Sequence, residues 1–385
     1  MPRILTPFFI PVFMCCMHVT VCGQYDSLFY DGYTRTYLVH LPANQEHLDN
    51  LPLIIAMHGG FGSAANLQNQ SGLSLKADAE GFMVVYPEGV RDGILNIRTW
   101  NAGWCCGFAS TSGVDDVGFI NALLDTLYSR YSIDTSRVFA TGMSNGGFMS
   151  YRLACEIPDR IAAIAPVACS MSVSRCDSDK PVPIIHFHSY LDGSVPYAGG
   201  MGNGVSNHHN PPLDSVAQVF GEINACQTKR DTLTHNDMFT HIRWNDCDCE
   251  AEINQYLTRD GGHSWPGGMK TAIGDPVSTY ISANDLMWDF FQNYSLHCQM
   301  TTAENSSTSA TSEYTIYPNP ASDYINIRSV GNHRVEATLY NAIGTPVINI
   351  ATPGEIDVSQ LDAGMYFLQI QTRYQSTEVK VIVKH

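Results

Sequence analysis

The chain has 385 residues, of which 44% are hydrophobic and 15% charged, and its formal net charge is −16. This composition excludes an intrinsically disordered protein, and the length is sufficient for one large and one small domain. Nucleic acid and anionic membrane surfaces are not expected partners, because their phosphates would repel so acidic a protein.

The first 23 residues have the pattern of a secretory signal peptide. A basic residue precedes an apolar run, and Val21 and Gly23 fit the −3 and −1 positions of a signal peptidase site. The run is short and two prolines interrupt it, which disfavours a membrane anchor. We therefore predict that residues 1–23 are a signal peptide, that Gln24 begins the mature chain and that the protein is secreted.

Residues 35–298 alternate short apolar runs with amphipathic stretches. The runs PLIIAMH, FMVVYPE, RVFATG and PVPIIHFHS suit strands that are buried on both faces. The stretch VDDVGFINALLDTLYSRY has the apolar spacing of a helix, and Asp115 or Asp116 could cap its start. Strands that alternate with helices predict a mostly parallel sheet in an α/β domain, which we place at residues 24–298.

The composition changes after residue 298. Residues 299–313 have no apolar period and are typical of a flexible linker. Residues 314–385 alternate apolar and polar positions between Gly, Pro and Asn turns, as in YINIRS and GMYFLQIQTR. This pattern predicts a small all-β sandwich of about 70 residues that folds independently.

A G-x-S-x-G motif, GMSNG, centres on Ser144. It follows the strand RVFA and opens a helix, which is the context in which a serine nucleophile is held on a sharp turn. Gly142 and Gly146 would let the strand and the helix approach closely. An ordinary glycine turn is the alternative. The nucleophilic interpretation requires an acid and then a base later in the chain.

The acid is predicted to be Asp192, in the loop that follows the strand PVPIIHFHS. Asp177, Asp179 and Asp214 are alternatives, but they precede a strand or lie near the start of a helix. An aspartate in a loop is more often a turn former, so only its position after this strand favours Asp192.

The base is predicted to be His263, in the glycine-rich loop GGHSWPGG after the strand EINQYLT. His186 and His188 precede the acid and are expected to pack at the end of a strand. His208 and His209 lie in a polar loop into which no apolar strand leads. Chain order and loop context therefore favour His263.

Two backbone amides are expected to form an oxyanion hole. One is that of Asn145, which follows the serine. The other is expected in the loop HGGFGSA after an early strand, where Gly59, Gly60 and Phe61 are candidates and Gly60 is favoured. His58 is expected to be buried and to organise this loop, not to act as a second base.

Of the twelve cysteines, three lie in the signal peptide, and export favours disulfides over metal ligands for the other nine. The odd number leaves at least one thiol unpaired. We predict that Cys226 pairs with Cys247 or Cys249, whose Cys-Asp-Cys spacing is not that of a zinc site. Cys105 or Cys106 is expected to pair elsewhere in the domain.

Six separated motifs occur in order between residues 30 and 295: MHGGFGSA, WNAGWCCG, VDDVGFI, GMSNGGFMSYRLACE, PVPIIHFHSYLDGSVPY and GGHSWPGG. Together they resemble the secreted feruloyl esterases and poly(3-hydroxybutyrate) depolymerase-like esterases, a group that overlaps carbohydrate esterase family one. The resemblance implies an α/β-hydrolase fold, an acyl-enzyme, the triad Ser144, Asp192 and His263, and no metal or cofactor. The family usually has HGTAD before the acid, whereas this chain has HSYLD.

The stretches YPNPASDYINI and IDVSQLDAGMYFLQI in residues 314–385 resemble the sorting domain of the type IX secretion system of Bacteroidetes. The resemblance implies passage through the outer membrane by the type IX machinery, followed by release or attachment to the surface. A substrate-binding β-module is the alternative, and the position of the motifs in the chain favours sorting.

The sequence thus predicts a secreted serine esterase that acts on feruloyl or acetyl esters of plant cell-wall polysaccharides such as xylan. Trp104 and Trp265 are candidates to stack on an aromatic acyl group or a sugar ring, with buried packing as the alternative. A polyester depolymerase is the second hypothesis. A catalytically inactive surface-binding protein and a secreted peptidase rank below it.

Overall fold

The computed structural model describes residues 23–384, with gaps at 44–48, 93–96, 205–207, 272–273, 297–313, 318–320, 330–335, 342–345, 351–354 and 372–375. The predicted signal peptide (apart from Gly23) and the predicted linker therefore lie outside the described residues. The chain divides into two compact units, Met1–Cys247 with Ala251–Cys298 and Asp248–Glu250 with Gln299–His385. Within the described ranges, no helix is long and apolar enough to cross a membrane.

The first unit contains strands and helices in alternation. Its strands are β1 (Gln24–Tyr30), β2 (Tyr33–His40), β3 (Leu51–Met57), β4 (Met83–Pro87), β5 (Val90–Arg91), β6 (Arg98–Thr99), β7 (Ile133–Met143), β8 (Ala163–Val167), β9 (Ile184–Ser189), β10 (Gly200–Met201), β11 (His209–Asn210), β12 (Thr228–His235), β13 (Phe239–Asn245) and β14 (Ile253–Thr258). Its helices are α1 (Ala64–Ser71), α2 (Leu73–Glu80), α3 (Gly107–Thr111), α4 (Asp116–Arg130), α5 (Asn145–Glu156), α6 (Leu213–Ile223) and α7 (Ala283–Phe291).

Ten of these strands form one sheet in the order β1-β2-β4-β3-β7-β8-β9-β14-β13-β12. The six central strands, from β4 to β14, run parallel to one another, and antiparallel strands extend the sheet at both edges. The predicted mostly parallel sheet of an α/β-hydrolase fold is confirmed. In such a sheet the loops at the carboxyl ends of neighbouring strands lie side by side.

Helices cover both faces of this sheet, which explains why its central strands are apolar throughout. Along β3, Leu53 and Ile55 belong to the same apolar core as residues of α4, α5 and α6, whereas Ile54 belongs to the core that contains residues of α1, α2 and α7. All residues of β3, β4, β8 and β9 are buried. Strands buried on both faces have no polar side to produce an alternating pattern.

The two aspartates at the start of α4 have different roles. Asp115 caps the helix, since its carboxylate accepts a hydrogen bond from the amide of Gly118. Asp116 is fully buried and pairs with Arg35 at 2.6 Å. Burial raises the pKa of the Asp116 carboxyl, and the charge of Arg35 opposes that rise. The sequence pattern could not separate the two, because Arg35 comes from β2, far away in the chain.

Among the residues that the structure describes, disulfides join Cys226 to Cys247, Cys155 to Cys176 and Cys105 to Cys106. The predicted bridge from Cys226 is confirmed and its partner is Cys247. The expectation that Cys105 or Cys106 would pair elsewhere is wrong. The loop around them is closed by hydrogen bonds from the amide of Ala102 to Cys105 and from that of Cys106 to Trp100, which leaves the two sulfurs adjacent.

The Cys226–Cys247 bridge joins the end of α6 to the end of β13. Its two cysteines are 21 residues apart, and closing a loop of this length stabilises a fold by about 3 kcal/mol on chain-entropy grounds. We expect peptide mapping without reduction to recover the two cysteines in one linked peptide, and the Cys226→Ser/Cys247→Ser variant to lose stability of that order. Cys169, the free cysteine of the described residues, is the control thiol that alkylation should label after unfolding. Labelling of Cys226 without reduction would contradict the bridge.

Apart from the 3₁₀ turn at Asp248–Glu250, the described secondary structure of the second unit consists of β-strands. Its strands are β15 (Tyr314–Tyr317), β16 (Tyr324–Ser329), β17 (Glu336–Asn341), β18 (Pro346–Ile350), β19 (Glu355–Asp357), β20 (Gly364–Gln371) and β21 (Ser376–Val383). They form two sheets, β15-β16-β19 and β18-β17-β20-β21, with antiparallel pairing in both. Ile325, Leu339 and Leu368 belong to a separate apolar core. The predicted small all-β fold is confirmed.

Candidate active site

Ser144 lies on a sharp turn between β7 and α5. Its backbone has φ 53° and ψ −122°, a conformation that costs free energy for any residue other than glycine. The turn is tight because two glycines flank it: a Cβ on Gly146 would lie 2.0 Å from the carbonyl oxygen of Met57, and one on Gly142 would lie 2.4 Å from the carbonyl carbon of Gly146. The geometry is that of a nucleophile elbow, as the G-x-S-x-G motif predicts.

Asp192 and His263 are hydrogen bonded to each other. The Nδ1–H of His263 donates to Oδ2 of Asp192 at 2.8 Å, and the other carboxylate oxygen accepts from the amides of Ser194 and Val195 at 2.9 and 2.8 Å. Burial alone would raise the pKa of the Asp192 carboxyl, but the hydrogen bond and charge of His263 outweigh it and hold that pKa below its usual value. Because Nδ1 of His263 carries the proton that the carboxylate accepts, Nε2 is the nitrogen of the neutral ring that has a lone pair to accept a proton.

The alternative acids lie elsewhere. Asp177 is exposed and pairs with Arg175. Asp214 accepts a hydrogen bond from Tyr197 at 2.8 Å and pairs with Arg230 at 3.0 Å. Asp179 is exposed. Of the four candidates, Asp192 is the one that forms a hydrogen bond with His263.

The loop that carries His263 is held by a second carboxylate. The amide of His263 donates to Asp275 Oδ2 at 2.7 Å, and a Cβ on Gly262 would lie 2.5 Å from the same oxygen. Glycine is required before the histidine because any side chain would displace that anchor. Sequence analysis missed Asp275, for which only its position close after the histidine loop gives any signal.

The glycine-rich loop after β3 lies beside Ser144. A Cβ on Gly59 would be 3.4 Å from the Cβ of Ser144. The amide of Phe61 donates to the Arg98 carbonyl at 3.0 Å, which removes Phe61 from the oxyanion candidates. The amide of Gly60 has no acceptor among the residues that the structure describes.

The Asn145 amide is the second oxyanion candidate. It opens α5, where the first amides of a helix lack a partner within the helix. Together with the amide of Gly60, it is a suitable donor to a negatively charged oxygen bound beside Ser144.

His58 organises the glycine-rich loop, as expected. Its Nε2 accepts from the amide of Gly89 at 3.0 Å, so that Nδ1 carries the proton and donates to the Gly59 carbonyl at 2.7 Å. Burial lowers the pKa of His58 to about 4. A neutral imidazole with both nitrogens engaged is not available as a second base.

Trp100 connects the loop to the elbow, a role that sequence analysis did not predict. The side chain of Asn145 accepts from the amide of Trp100 at 2.7 Å and donates to its carbonyl at 3.0 Å. The indole N–H of Trp100 donates to the carbonyl of His58 at 2.9 Å. The only signal in the sequence is the WNAGW stretch itself, which contains no titratable side chain.

The two tryptophans proposed for substrate binding differ in exposure. Trp265 is 0% exposed, packs in the core beneath α7 and donates its indole N–H to Asn284 at 3.0 Å. A ring without an open face cannot stack on a substrate, so the prediction for Trp265 is wrong. Trp104 is 46% exposed and remains a candidate.

One group among the described residues could offer three ligand atoms to a metal ion. The atoms of Cys105, Cys106 and His208 lie within 4.8 Å of one another. The two sulfurs are joined in a disulfide, which removes the thiolates that would bind a metal. We assign no metal role to this group.

Two family models match the chain. Residues 35–178 match the model described as Esterase PHB depolymerase, and residues 315–384 match that described as Secretion system C-terminal sorting domain. The sequence motifs predict both similarities. The match at residues 315–384 indicates that the type IX system exports the protein to the exterior or to the cell surface.

Curated relatives are esterases. A bifunctional acetylxylan esterase/xylanase, XynS20E, of Neocallimastix patriciarum is 27% identical over 247 residues, which are 63% of this chain and 33% of that protein. A probable feruloyl esterase C of Aspergillus clavatus is 27% identical over 282 residues, 70% of this chain and 89% of that protein. An acetyl xylan esterase structure from Aspergillus awamori aligns with a TM-score of 0.49 and 15% identity, covering 70% of this chain and all of that one.

Proposed function

We propose that this esterase, exported by the type IX machinery, hydrolyses carboxylic esters of plant cell-wall polysaccharides, with Ser144 as nucleophile, His263 as base and Asp192 as the orienting acid. The observation that supports it most directly is the 2.8 Å hydrogen bond between His263 and Asp192. Asp192 and His263 follow the parallel strands β9 and β14, and Ser144 follows β7 in the same parallel set.

The mechanism follows from these positions. Oγ of Ser144 attacks the ester carbonyl carbon while Nε2 of His263 takes the hydroxyl proton, and Asp192 stabilises the imidazolium that forms. The amides of Gly60 and Asn145 donate to the negatively charged carbonyl oxygen of the tetrahedral intermediate. Collapse of the intermediate breaks the ester C–O bond, and the imidazolium gives its proton to the departing alcohol oxygen.

The second half of the reaction regenerates the serine. His263 removes a proton from water as the water oxygen attacks the acyl-enzyme carbonyl. The bond to Oγ of Ser144 then breaks, Oγ takes the proton back from the imidazolium, and the carboxylic acid leaves. Neither half-reaction needs a cofactor or a metal ion.

The substrate class is proposed from the relatives and from one exposed aromatic side chain. Acetylxylan and feruloyl esterases are among the curated relatives, and Trp104 offers a partly exposed ring for an aromatic acyl group or a sugar. The family model named for poly(3-hydroxybutyrate) depolymerases supports a polyester as the second candidate substrate.

Turnover on three substrates tests the substrate class. The purified mature protein is assayed on methyl ferulate, acetylated xylan and poly(3-hydroxybutyrate), with the Ser144→Ala variant as the blank for each. We expect release of ferulate or acetate at rates well above release of hydroxybutyrate. Preference for the polyester would replace the polysaccharide proposal with the second candidate and leave the serine mechanism intact.

Removal of the sorting domain should separate export from catalysis. Ser144, Asp192 and His263 all precede Cys298, so a chain that ends after Cys298 should keep kcat/KM on a soluble ester within about two-fold. In a host with the type IX system, the shortened chain should remain in the periplasm. Full-length Ser144→Ala, which should be exported normally, is the control. Normal export of the shortened chain would show that the domain is not the sorting signal, and a large loss of activity would show that it belongs to the catalytic unit.

A further inference from the structure

Three buried polar side chains form a chain of hydrogen bonds that ends at the loop of Asp192. Tyr151 lies on α5, and His186 and His188 lie two residues apart on β9, so that they share one face of the strand. The hydroxyl of Tyr151 is 2.8 Å from Nδ1 of His186, and Nε2 of His186 is 3.3 Å from Nδ1 of His188. Nε2 of His188 is 2.8 Å from the carbonyl oxygen of Val195. All three side chains are at most 3% exposed.

Only one arrangement of protons satisfies this chain. A carbonyl oxygen can only accept, so His188 must carry its proton on Nε2 and donate it to Val195. Burial lowers the pKa of His188 more than the nearby Asp192 and Val195 raise it, so the ring is neutral and its Nδ1 accepts from Nε2–H of His186. Burial and His188 also lower the pKa of His186, whose Nδ1 accepts from the hydroxyl of Tyr151.

The last hydrogen bond of this series is to Val195, which also contacts the carboxylate of Asp192. The amide of Val195 donates to Oδ1 of Asp192 at 2.8 Å, and the carbonyl of Val195 accepts from His188. Both backbone groups of Val195 are therefore fixed, one by the carboxylate and one by the histidine. Nε2 of His188 is 3.6 Å from Oδ2 of Asp192, too far for a hydrogen bond, so His188 acts on the carboxylate through Val195.

The groups around His188 require a side chain that both donates and accepts a hydrogen bond. Asp192 and His263 both act on it electrostatically, and His186 contacts its other nitrogen. Cys169, a buried thiol, lies close enough to Asp192 and Tyr151 to interact with their charged forms. A leucine could fill the volume of His188, but it would leave the carbonyl of Val195 and the N–H of His186 buried without partners.

We propose that His188 is a positioning residue for the acid of the triad, held in one tautomer by His186 and Tyr151, and that it fixes Val195 so that the Asp192 carboxylate meets His263. The proposal rests on the proposed function, because it assigns His188 to the same site. It replaces the expectation that this histidine only packs at the end of a strand.

Kinetics of two His188 variants test the proposal. We expect His188→Leu to lower kcat about 100-fold with little change in KM, because a misplaced carboxylate reduces the stabilisation of the imidazolium in the transition state. The acidic limb of the kcat/KM profile should move to lower pH, since the imidazolium is then less stable. His188→Gln, whose amide N–H can occupy the position of Nε2–H, should recover kcat to within about five-fold of the wild type.

His40→Leu is the matched control. His40 is another buried strand histidine, with its Nε2 2.8 Å from Asp78, but it lies on β2. Its loss should reduce thermal stability and leave kcat within about two-fold. An equal loss of kcat in His188→Leu and His188→Gln, with the acidic limb unmoved, would mean a purely structural role and overturn the proposal. So would a kcat of His188→Leu close to that of the wild type.

A measurement on the unmodified protein keeps the proposal testable if His188→Leu fails to fold. In ¹⁵N-histidine NMR spectra between pH 5 and 8, His186 and His188 should both be neutral and protonated at Nε2. Protonation of either ring at Nδ1 would contradict the proposed series of hydrogen bonds and overturn the proposal. The Ser144→Ala variant distinguishes failure of the positioning role from failure of the proposed function. If Ser144→Ala is inactive while His188→Leu is active, only the positioning role of His188 is refuted. An active Ser144→Ala refutes the proposed function.

Discussion

We expect Ser144→Ala to lower kcat by about 10⁴-fold or more on any ester that the protein hydrolyses, and to leave the fold intact. The substitution removes only the hydroxyl oxygen, which is the atom that would form the acyl bond. The strained backbone at φ 53° is set by β7, α5 and the flanking glycines, so alanine should adopt it as serine does. The measurement is kcat with circular dichroism to verify the fold.

Ser150→Ala is the control for that variant. Ser150 lies on the same helix, is buried and donates to the carbonyl of Gly146 at 3.2 Å, so its substitution changes one hydroxyl nearby without touching the proposed reaction. We expect its kcat to stay within about three-fold of the wild type. A Ser144→Ala protein that turned over esters at a comparable rate would refute the assignment of the nucleophile.

Asp192→Asn has the second largest expected effect, a loss of kcat of about 10⁴-fold. The carboxylate accepts from Nδ1–H of His263, from Ser194 and from Val195, and in the proposed mechanism its charge stabilises the imidazolium. An amide has the same shape but is neutral, and when its NH₂ faces His263 it favours the wrong imidazole tautomer. KM should change little, because no contact to bound substrate is removed.

Asp214→Asn is the matched control, since Asp214 was an alternative acid in the sequence and also accepts side-chain hydrogen bonds. It should retain kcat within about three-fold of the wild type. Equal losses in the two variants would show that the assay reports general destabilisation, and a larger loss in Asp214→Asn would contradict the choice of Asp192.

The contact between Asp192 and His263 could be predicted from the sequence because it depends on local patterns. Ser144, Asp192 and His263 each follow an apolar run, and parallel strands bring the loops after such runs to one edge of the sheet. The contact between Asp192 and His263 follows from that rule. This contact can be predicted without knowing which helices cover which face of the sheet.

Features that depend on packing could not be predicted in this way. Trp265 is next but one to His263 in the sequence, yet its ring points into the core, and a loop has no period that would show this. The chain from Tyr151 through His186 to His188 joins a helix to a strand, and each residue alone looks like an ordinary buried side chain. The pairing of Cys105 with Cys106 could not be predicted either, because it depends on the backbone conformation of the loop that contains them.

Covalent labelling with diethyl p-nitrophenyl phosphate tests the central claim most directly. The reagent phosphorylates a serine only when a base activates it and amides stabilise the anionic intermediate, so it reports the assembled site without any assumption about the natural substrate. We predict one diethylphosphoryl group per chain, located by mass spectrometry on the peptide that contains Ser144, with much slower labelling of His263→Ala. No labelling, or labelling of a different residue with Ser144 unmodified, would contradict the account.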